Sequence, residues 1–243
     1  MKQAPWLLAS PGSVVAGASV SLDAAEARHA CGALRLHVGD AVVLTDGAGV
    51  VAAATLTLVA RRGVEAAVNE VHAFPAPTAS LTLAMSVLAG PAMDLVVQKS
   101  VELGAERLLP VCSHRSQLGL DRATERTGHW RRVGRQALKQ CHRPWAMEVA
   151  APVAFHELVS GLLAESGVVG HPEGLPVSHL PVGRGGVLLI GPEGGFASVE
   201  ERALEDAGWL RVSLGPYVLR AETAAIAGIA LLGSRLEVVG SRV

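Results

Sequence analysis

Val187-Leu188-Leu189-Ile190 runs without a break into Gly191-Pro192-Glu193-Gly194-Gly195-Phe196, and this junction decides the fold. Four consecutive apolar residues bounded by glycine and proline suit a strand buried on both faces, the mark of a parallel sheet covered by helices. A strand that ends in a glycine-rich loop puts its backbone at the carboxyl edge of such a sheet, where open α/β folds bind ligands. Gly191, Gly194 and Gly195 remove side chains that would keep a ligand away from the main chain. A structural strand-to-helix turn explains the loop equally well, so the junction alone assigns no activity. The run is not GxGxxG, and GxxxxGK[ST], HExxH and GxSxG are absent from the chain. Dinucleotide, triphosphate-loop, zinc-protease and serine-hydrolase readings lose support. His156-Glu157 has no second histidine to complete a metal site, and no metal is expected.

Outward from the junction, strands alternate with helices from residue 80 onward, which predicts an α/β domain. Strands are expected at 81–87, 107–111, 187–190 and 211–214. Helices are expected at 92–103, closed by Gly104, and at 130–141, 155–165, 198–207 and 222–232, with a loop at 215–220 before the last. Residues 1–74 read as a small β-rich domain. Its runs 41–45, 50–59 and 64–71 are separated by Gly39-Asp40, Asp46-Gly47-Ala48-Gly49 and Arg62-Gly63. One helix interrupts them, capped by Asp23 with Glu26 in capping-box position and running to residue 33. Pro75-Ala76-Pro77 stiffens the connection, so the expected domains are 1–74 and 75–243.

With 243 residues, 50% hydrophobic and 18% charged, the chain can bury two cores. Its longest apolar stretch near the C-terminus, 224–232, is too short to cross a bilayer, and no basic-then-apolar leader opens the sequence. A soluble, cytoplasmic protein is expected. Cys31, Cys112 and Cys141 are widely spaced without a CxxC pair and read as small buried hydrophobes. The net charge of −1 conceals a basic segment between Arg107 and Arg143, with nine Lys or Arg against Asp121 and Glu125, and with His114, His129 and His142 interspersed. Such clustering suits phosphate neutralisation, since each arginine can fork onto phosphate oxygens; a solvated helical face is the alternative.

The glycine junction is followed by Val212-Ser213-Leu214-Gly215-Pro216 and then Leu219-Arg220-Ala221-Glu222-Thr223-Ala224. Together these segments resemble the catalytic half of the SPOUT methyltransferases, and within them the ribosomal small subunit methyltransferase E family, which methylates N3 of a uridine in 16S ribosomal RNA. Arg28-His29, Leu34-Arg35-Leu36-His37-Val38-Gly39-Asp40, Gln98-Lys99-Ser100-Val101-Glu102-Leu103-Gly104, Arg115-Ser116 and the helix 130–141 match in order, so the resemblance covers nearly the whole chain. It departs from the family pattern at Ala221, in place of a frequent threonine, at His114, in place of a frequent acid, and at Lys139, where glutamate is frequent.

The resemblance implies a C-terminal α/β-knot, in which a deep trefoil knot binds S-adenosylmethionine, a small N-terminal PUA-like β-barrel, and a homodimer that completes the RNA site. Leu189, Ile190, Gly191, Pro192, Glu193, Gly194, Gly195, Ser213, Leu214, Gly215 and Leu219 become candidates for the cofactor site, with Gly170 and His171 as a second loop. Glu193 is expected to shape the loop. Arg220 is expected to orient the uracil or its phosphate, and Glu222 to accept the N3 proton or to fix Arg220; Glu222 also suits the first turn of a helix on dipole grounds alone. Arg28, His29, Arg35, Arg115, Arg131, Arg132, Arg135 and Arg143 are candidates for RNA contact. A SPOUT enzyme acting elsewhere, such as on a ribose 2′-hydroxyl of transfer RNA, and a non-catalytic RNA-binding assembly factor remain the alternatives.

Overall fold

The computed structural model describes residues 4–60, 63–161, 167–180 and 186–235. Two compact units emerge. One comprises Met1–Ala76 with Leu138–Ala146, the other Pro77–Ala137 and Met147–Gly240. A single cut after residue 74 places Leu138–Ala146 with the second domain; side-chain chemistry places it with the first. Trp6 stacks on His142 at 4.9 Å between ring centroids, Trp145 donates its indole N–H to the Pro75 carbonyl at 3.0 Å, and Lys139 pairs with Glu26.

The first unit is a five-stranded sheet in the order β1 (Trp6–Leu8), β3 (Ala41–Thr45), β4 (Val50–Ala60), β5 (Gly63–Ala73), β2 (Ser19–Leu22). The β3–β4–β5 ladder is antiparallel, and its buried residues, among them Val42, Leu44, Ala52, Leu56, Val64 and Ala66, form one core with Leu7, Leu22 and Ala27. Among the described residues no ladder joins β1 to β2, so hydrogen bonding does not close this sheet into the expected barrel. The helix α1 (Ala24–Arg28) starts as expected: the Asp23 carboxylate accepts from the Ala25 and Glu26 amides at 2.8 Å each. A π-helical turn, His29–Ala33, continues it. Glu26 does not close a capping box, because it turns inward to Lys139 and to the Leu8 amide.

The second unit is a parallel sheet in the order β12 (Leu210–Ser213), β10 (Gly167–Pro176), β11 (Gly186–Ile190), β6 (Leu81–Ser86), β7 (Arg107–Cys112), β8 (Glu148–Val149), with β9 (Val153–Ala154) also on β7. Every pairing in it is parallel. β6 is buried at all six positions, as a central strand covered on both faces must be. The helices are α2 (Pro91–Glu102), α3 (Leu120–Cys141), α4 (Phe155–Ser160), α5 (Ser198–Asp206) and α6 (Ala221–Gly233). α2 opens with Pro91 at its first turn and ends before Gly104, whose φ of +87° suits glycine. α3 begins ten residues before the expected start at 130. Of the expected helix 155–165, residues 162–165 lie outside the described residues. Sheet order and connectivity bring the carboxyl ends of β11 and β12 beside the middle of β10, and the loops after β11 and β12 build the site with it.

Candidate functional site

A cavity of about 440 Å³ opens where β11 and β12 end beside β10. Ile190 and Gly191 line it where β11 stops, Leu214 and Gly215 where β12 stops, and Gly170 and His171 part-way along β10. The last pair lies at a register shift of β10 between Gly170 and Leu175, where the strand leaves its regular pairing with β12. A Cβ at Gly170 would lie 2.7 Å from Ile190 Cδ1 and 3.1 Å from Leu214 Cδ1, so a larger residue there would push the ends of these two apolar wall side chains aside. Pro192, Glu193, Gly195, Leu219 and Arg220 complete the expected set on the cavity.

Three candidates stand elsewhere. Leu189 is fully buried in the core with Val169, Val187 and Trp209, because successive side chains of a strand point to opposite faces. The Ser213 hydroxyl donates to the Gly215 carbonyl at 3.0 Å and so shapes the β12–α6 loop rather than lining the cavity. Gly194 faces Arg115, whose Cδ would sit 3.4 Å from a Cβ at that position. A Cβ at Gly191 would meet the Phe196 ring at 3.0 Å, so Gly191 makes room for that ring as well as lining the cavity, whereas a Cβ at Gly194 would make only an ordinary contact.

The electrostatics of the wall are mixed. Arg220, exposed, is the residue from which α6 springs, and its guanidinium has no hydrogen-bond or ion-pair partner among the described residues. Glu222, half-buried in the first turn of α6, does not line the cavity, and no ion pair joins it to Arg220. His171 Nδ1 accepts the Glu173 amide proton at 3.1 Å, which leaves Nε2 as the protonated nitrogen of the neutral ring. Sequence reasoning missed Phe196, Glu201, Tyr217 and Val218 on the wall. Tyr217 and Val218 lie between two residues that were identified, and Glu201 lies in the first turn of the helix that follows the glycine loop.

The candidates for RNA contact divide between the units. In the first, Arg28 and Arg35 are exposed, His29 and Arg143 half-buried; burial, aided by the Lys139 charge and opposed by Glu26, pulls the His29 pKa below its ordinary value. In the second, Arg131, Arg132 and Arg135 are exposed along α3; Arg131 donates to the Val149 carbonyl at 3.0 Å. Arg115 is held by the glycine loop, donating to the carbonyls of Gly194 at 2.6 Å and Phe196 at 3.2 Å. A second cavity, about 450 Å³, lies beside α4 and α5, where burial pushes the Cys112 thiol pKa up.

Residues 74–233 match the RNA methyltransferase domain family, and residues 22–68 match the RNA methyltransferase PUA domain family. The ribosomal RNA small subunit methyltransferase E of Synechocystis sp. is 30% identical over 243 aligned residues, covering 95% of this chain and 78% of that protein. The chain belongs to the ribosomal RNA small subunit methyltransferase E family. Its fold agrees. A methyltransferase E from Neisseria gonorrhoeae, solved with S-adenosylmethionine bound, superposes with a TM-score of 0.86 at 28% identity, covering 96% of this chain and 98% of that one. A Legionella pneumophila methyltransferase, also solved with that cofactor, gives 0.89 at 28% identity and the same coverages.

Proposed function

We infer that this member of the methyltransferase E family transfers a methyl group from S-adenosylmethionine to N3 of a uridine in the 16S ribosomal RNA of the small subunit. The observation that carries the reading is the cavity where β11 and β12 end beside Gly170 of β10, walled by Ile190, Leu214 and Leu219 and lined by Gly191, Gly195 and Gly215. Its volume lies within the range of small-molecule sites, and apolar walls interrupted by glycines, which leave the main chain uncovered by side chains, suit an adenosine. The Ile190 and Leu214 side chains occupy the space beside Gly170 that a Cβ would enter, so the residues present fit the cofactor.

S-adenosylmethionine supplies, when bound, an electrophilic methyl group on a positively charged sulfur. Holding the uracil in line with it is the main lever, because an in-line displacement is governed by positioning. Arg220 is the cation on the cavity wall and serves to orient the uracil or its phosphate. The uracil N3 must lose its proton as the new N–C bond forms. His171, with Nδ1 already accepting and Nε2 protonated, serves as a donor and not as that proton's acceptor.

The reading extends to a trefoil knot in the C-terminal domain, supported by the connection that leaves the edge strand β12 and returns through α6 to pack on β6, β11 and α2. It extends to a homodimer, supported by Leu95 of α2, Leu103 just after it and Leu231 of α6, which are exposed where two helices pack together. Its setting is the cytoplasm; among the described residues no helix is long and apolar enough to cross a membrane.

The test is mass spectrometry of 16S RNA from cells with and without the protein, joined to calorimetry of S-adenosylmethionine on the purified chain. Loss of one N3-methyluridine in the deletion, restored by the purified enzyme on small subunits, is expected. A lost ribose methylation, or no cofactor binding, would replace this reading with one of its alternatives.

A further inference from the structure

Residues 114–117 lie between β7 and α3, far in sequence from the glycine loop, yet they carry most of the side-chain bonds that hold it. Arg115 Nη1 donates to two carbonyls of the loop, Gly194 at 2.6 Å and Phe196 at 3.2 Å. Gln117 works in both directions: its Oε1 accepts from the Ala89 amide at 3.0 Å, and its Nε2 donates to Glu193 Oε1 at 2.8 Å, tying the β6–α2 connection to the loop. Glu200, buried in the first turn of α5, accepts the His114 amide at 2.7 Å on one oxygen and the Ala197 amide at 2.9 Å on the other. Glu193, Gly195 and Phe196 are themselves on the cavity wall. The arginine stem runs alongside Gly194, its Cδ at ordinary contact distance, 3.4 Å, from where a Cβ would stand.

The geometry points to Arg115 and Gln117 as positioning residues of the cofactor site, and not as RNA contacts: with Glu200 they form a clamp that fixes the shape of the 193–197 loop. Arg115 suits this place because a guanidinium presents several donors in one plane and keeps its charge, so it can bridge two carbonyls that a neutral donor would hold less strongly. Apart from the Phe196 ring, which packs on Phe155 at 5.5 Å between centroids, the loop has little to define its backbone: within it, one backbone bond, Gly195 N–H to the Pro192 carbonyl at 2.9 Å, closes the turn. A loop so sparsely bonded would sample other shapes without its side-chain anchors, and a ligand that needs one shape would bind with that fraction of its affinity.

The inference rests on the cofactor assignment above, and its test separates the two. Hydrogen exchange of the loop amides is measured in the unliganded chain for the parent, Arg115→Lys, Arg115→Ala and Gln117→Ala, and calorimetry with S-adenosylmethionine and binding to small subunits are measured on the same proteins. Exchange at Gly195 and Ala197 should speed up in Arg115→Ala, and the cofactor Kd and KM should rise about tenfold to a hundredfold, as expected for losing hydrogen bonds to a charged group. Arg115→Lys should recover part of this. Gln117→Ala, at an exposed position, should give a smaller change in the same direction, with kcat at saturating cofactor and the affinity for small subunits little altered. Weakened RNA binding with unchanged loop exchange and unchanged cofactor Kd would overturn the clamp and return Arg115 to the RNA surface. A parent chain that binds no S-adenosylmethionine, yet shows the same exchange pattern, would keep the clamp and remove the cofactor assignment.

Discussion

Lys139 Nζ lies 2.6 Å from Glu26 Oε1, with only 5% and 8% of the two side chains exposed. The other Glu26 oxygen accepts the Leu8 amide at 3.1 Å, so this carboxylate ties β1 and α1 to the 138–146 segment. A buried pair contributes little net stability over an apolar substitute, but stripping one partner leaves a buried charge alone. Lys139→Ala should therefore destabilise the protein by about 3–5 kcal/mol in urea unfolding. The double variant Lys139→Met with Glu26→Gln, which keeps an acceptor for Leu8, should recover most of the loss. Equal stability of the single and double variants would show that the pair is not the source.

His29 sits beside this pair with its pKa lowered, chiefly by burial and then by the Lys139 charge, while Glu26 acts the other way. A lowered value means that the folded chain binds this proton less tightly than the unfolded chain, where the ordinary value is about 6.5. Its contribution to stability is then present above about pH 6.5 and is lost as pH falls through the lowered folded value. The urea midpoint should drop more steeply on acidification in the parent than in His29→Gln, which cannot take up a proton there. Parallel curves would rule it out. At neutral pH the ring is uncharged, so any contact it makes with RNA is a neutral hydrogen bond and not a phosphate neutralisation.

Sequence patterns and structure diverge where local signals mislead. The junction at 187–196 and the strands at 41–45, 81–86 and 107–112 stand close to expectation, because runs of apolar residues bounded by glycine leave few alternatives. The start of α3 was obscured by Thr124, Thr127 and Gly128, poor helix formers whose cost is offset by burying Ala123, Thr127 and Trp130 on one stripe. β10 was legible only in part: the apolar run before Gly170 reads as a short strand and Gly170-His171-Pro172-Glu173 as a loop, yet the strand extends to Pro176 through a shift in register. Gly174 pairs so closely with β12 that a Cβ would stand 2.5 Å from the Val212 carbonyl carbon. Glu26 and Arg115 were assigned by local motif and charge, and both are taken by partners more than 75 residues away, which no local pattern reveals.

The basic face of α3 is not uniform. Arg131 is engaged by the Val149 carbonyl, Arg132 makes a long 3.4 Å bond to the Gly128 carbonyl of its own helix, and Arg135 has no partner among the described residues. Arg132→Glu with Arg135→Glu should weaken binding to small subunits and flatten the dependence of log K on log salt, by about 0.7–0.9 for each phosphate no longer neutralised. Thermal stability and cofactor Kd should stay put. Arg131→Glu should also lower the melting temperature, because it gives up a bond to the main chain. An unchanged salt slope in the double variant would make this face merely solvated.

Arg220 and Glu222 stand two residues apart, but only Arg220 lines the cavity. An interaction made mainly in the transition state lowers turnover more than binding, so Arg220→Ala should depress kcat at saturating RNA and cofactor while leaving the cofactor Kd nearly unchanged. Glu222 lies in the first turn of α6, where a carboxylate favours the helix dipole by about 0.3–1 kcal/mol, and no ion pair couples it to Arg220. Glu222→Gln should accordingly cost only a fewfold in rate and a small loss in melting temperature. A general base would behave otherwise, since its removal typically costs about 10²–10⁴-fold. That defect would also shrink as pH rises, because an imide that ionises on its own needs no base. Rates of Glu222→Gln from neutral to alkaline pH thus separate the two roles: a small, flat defect is expected, and a large one that fades with alkalinity would make Glu222 the proton acceptor.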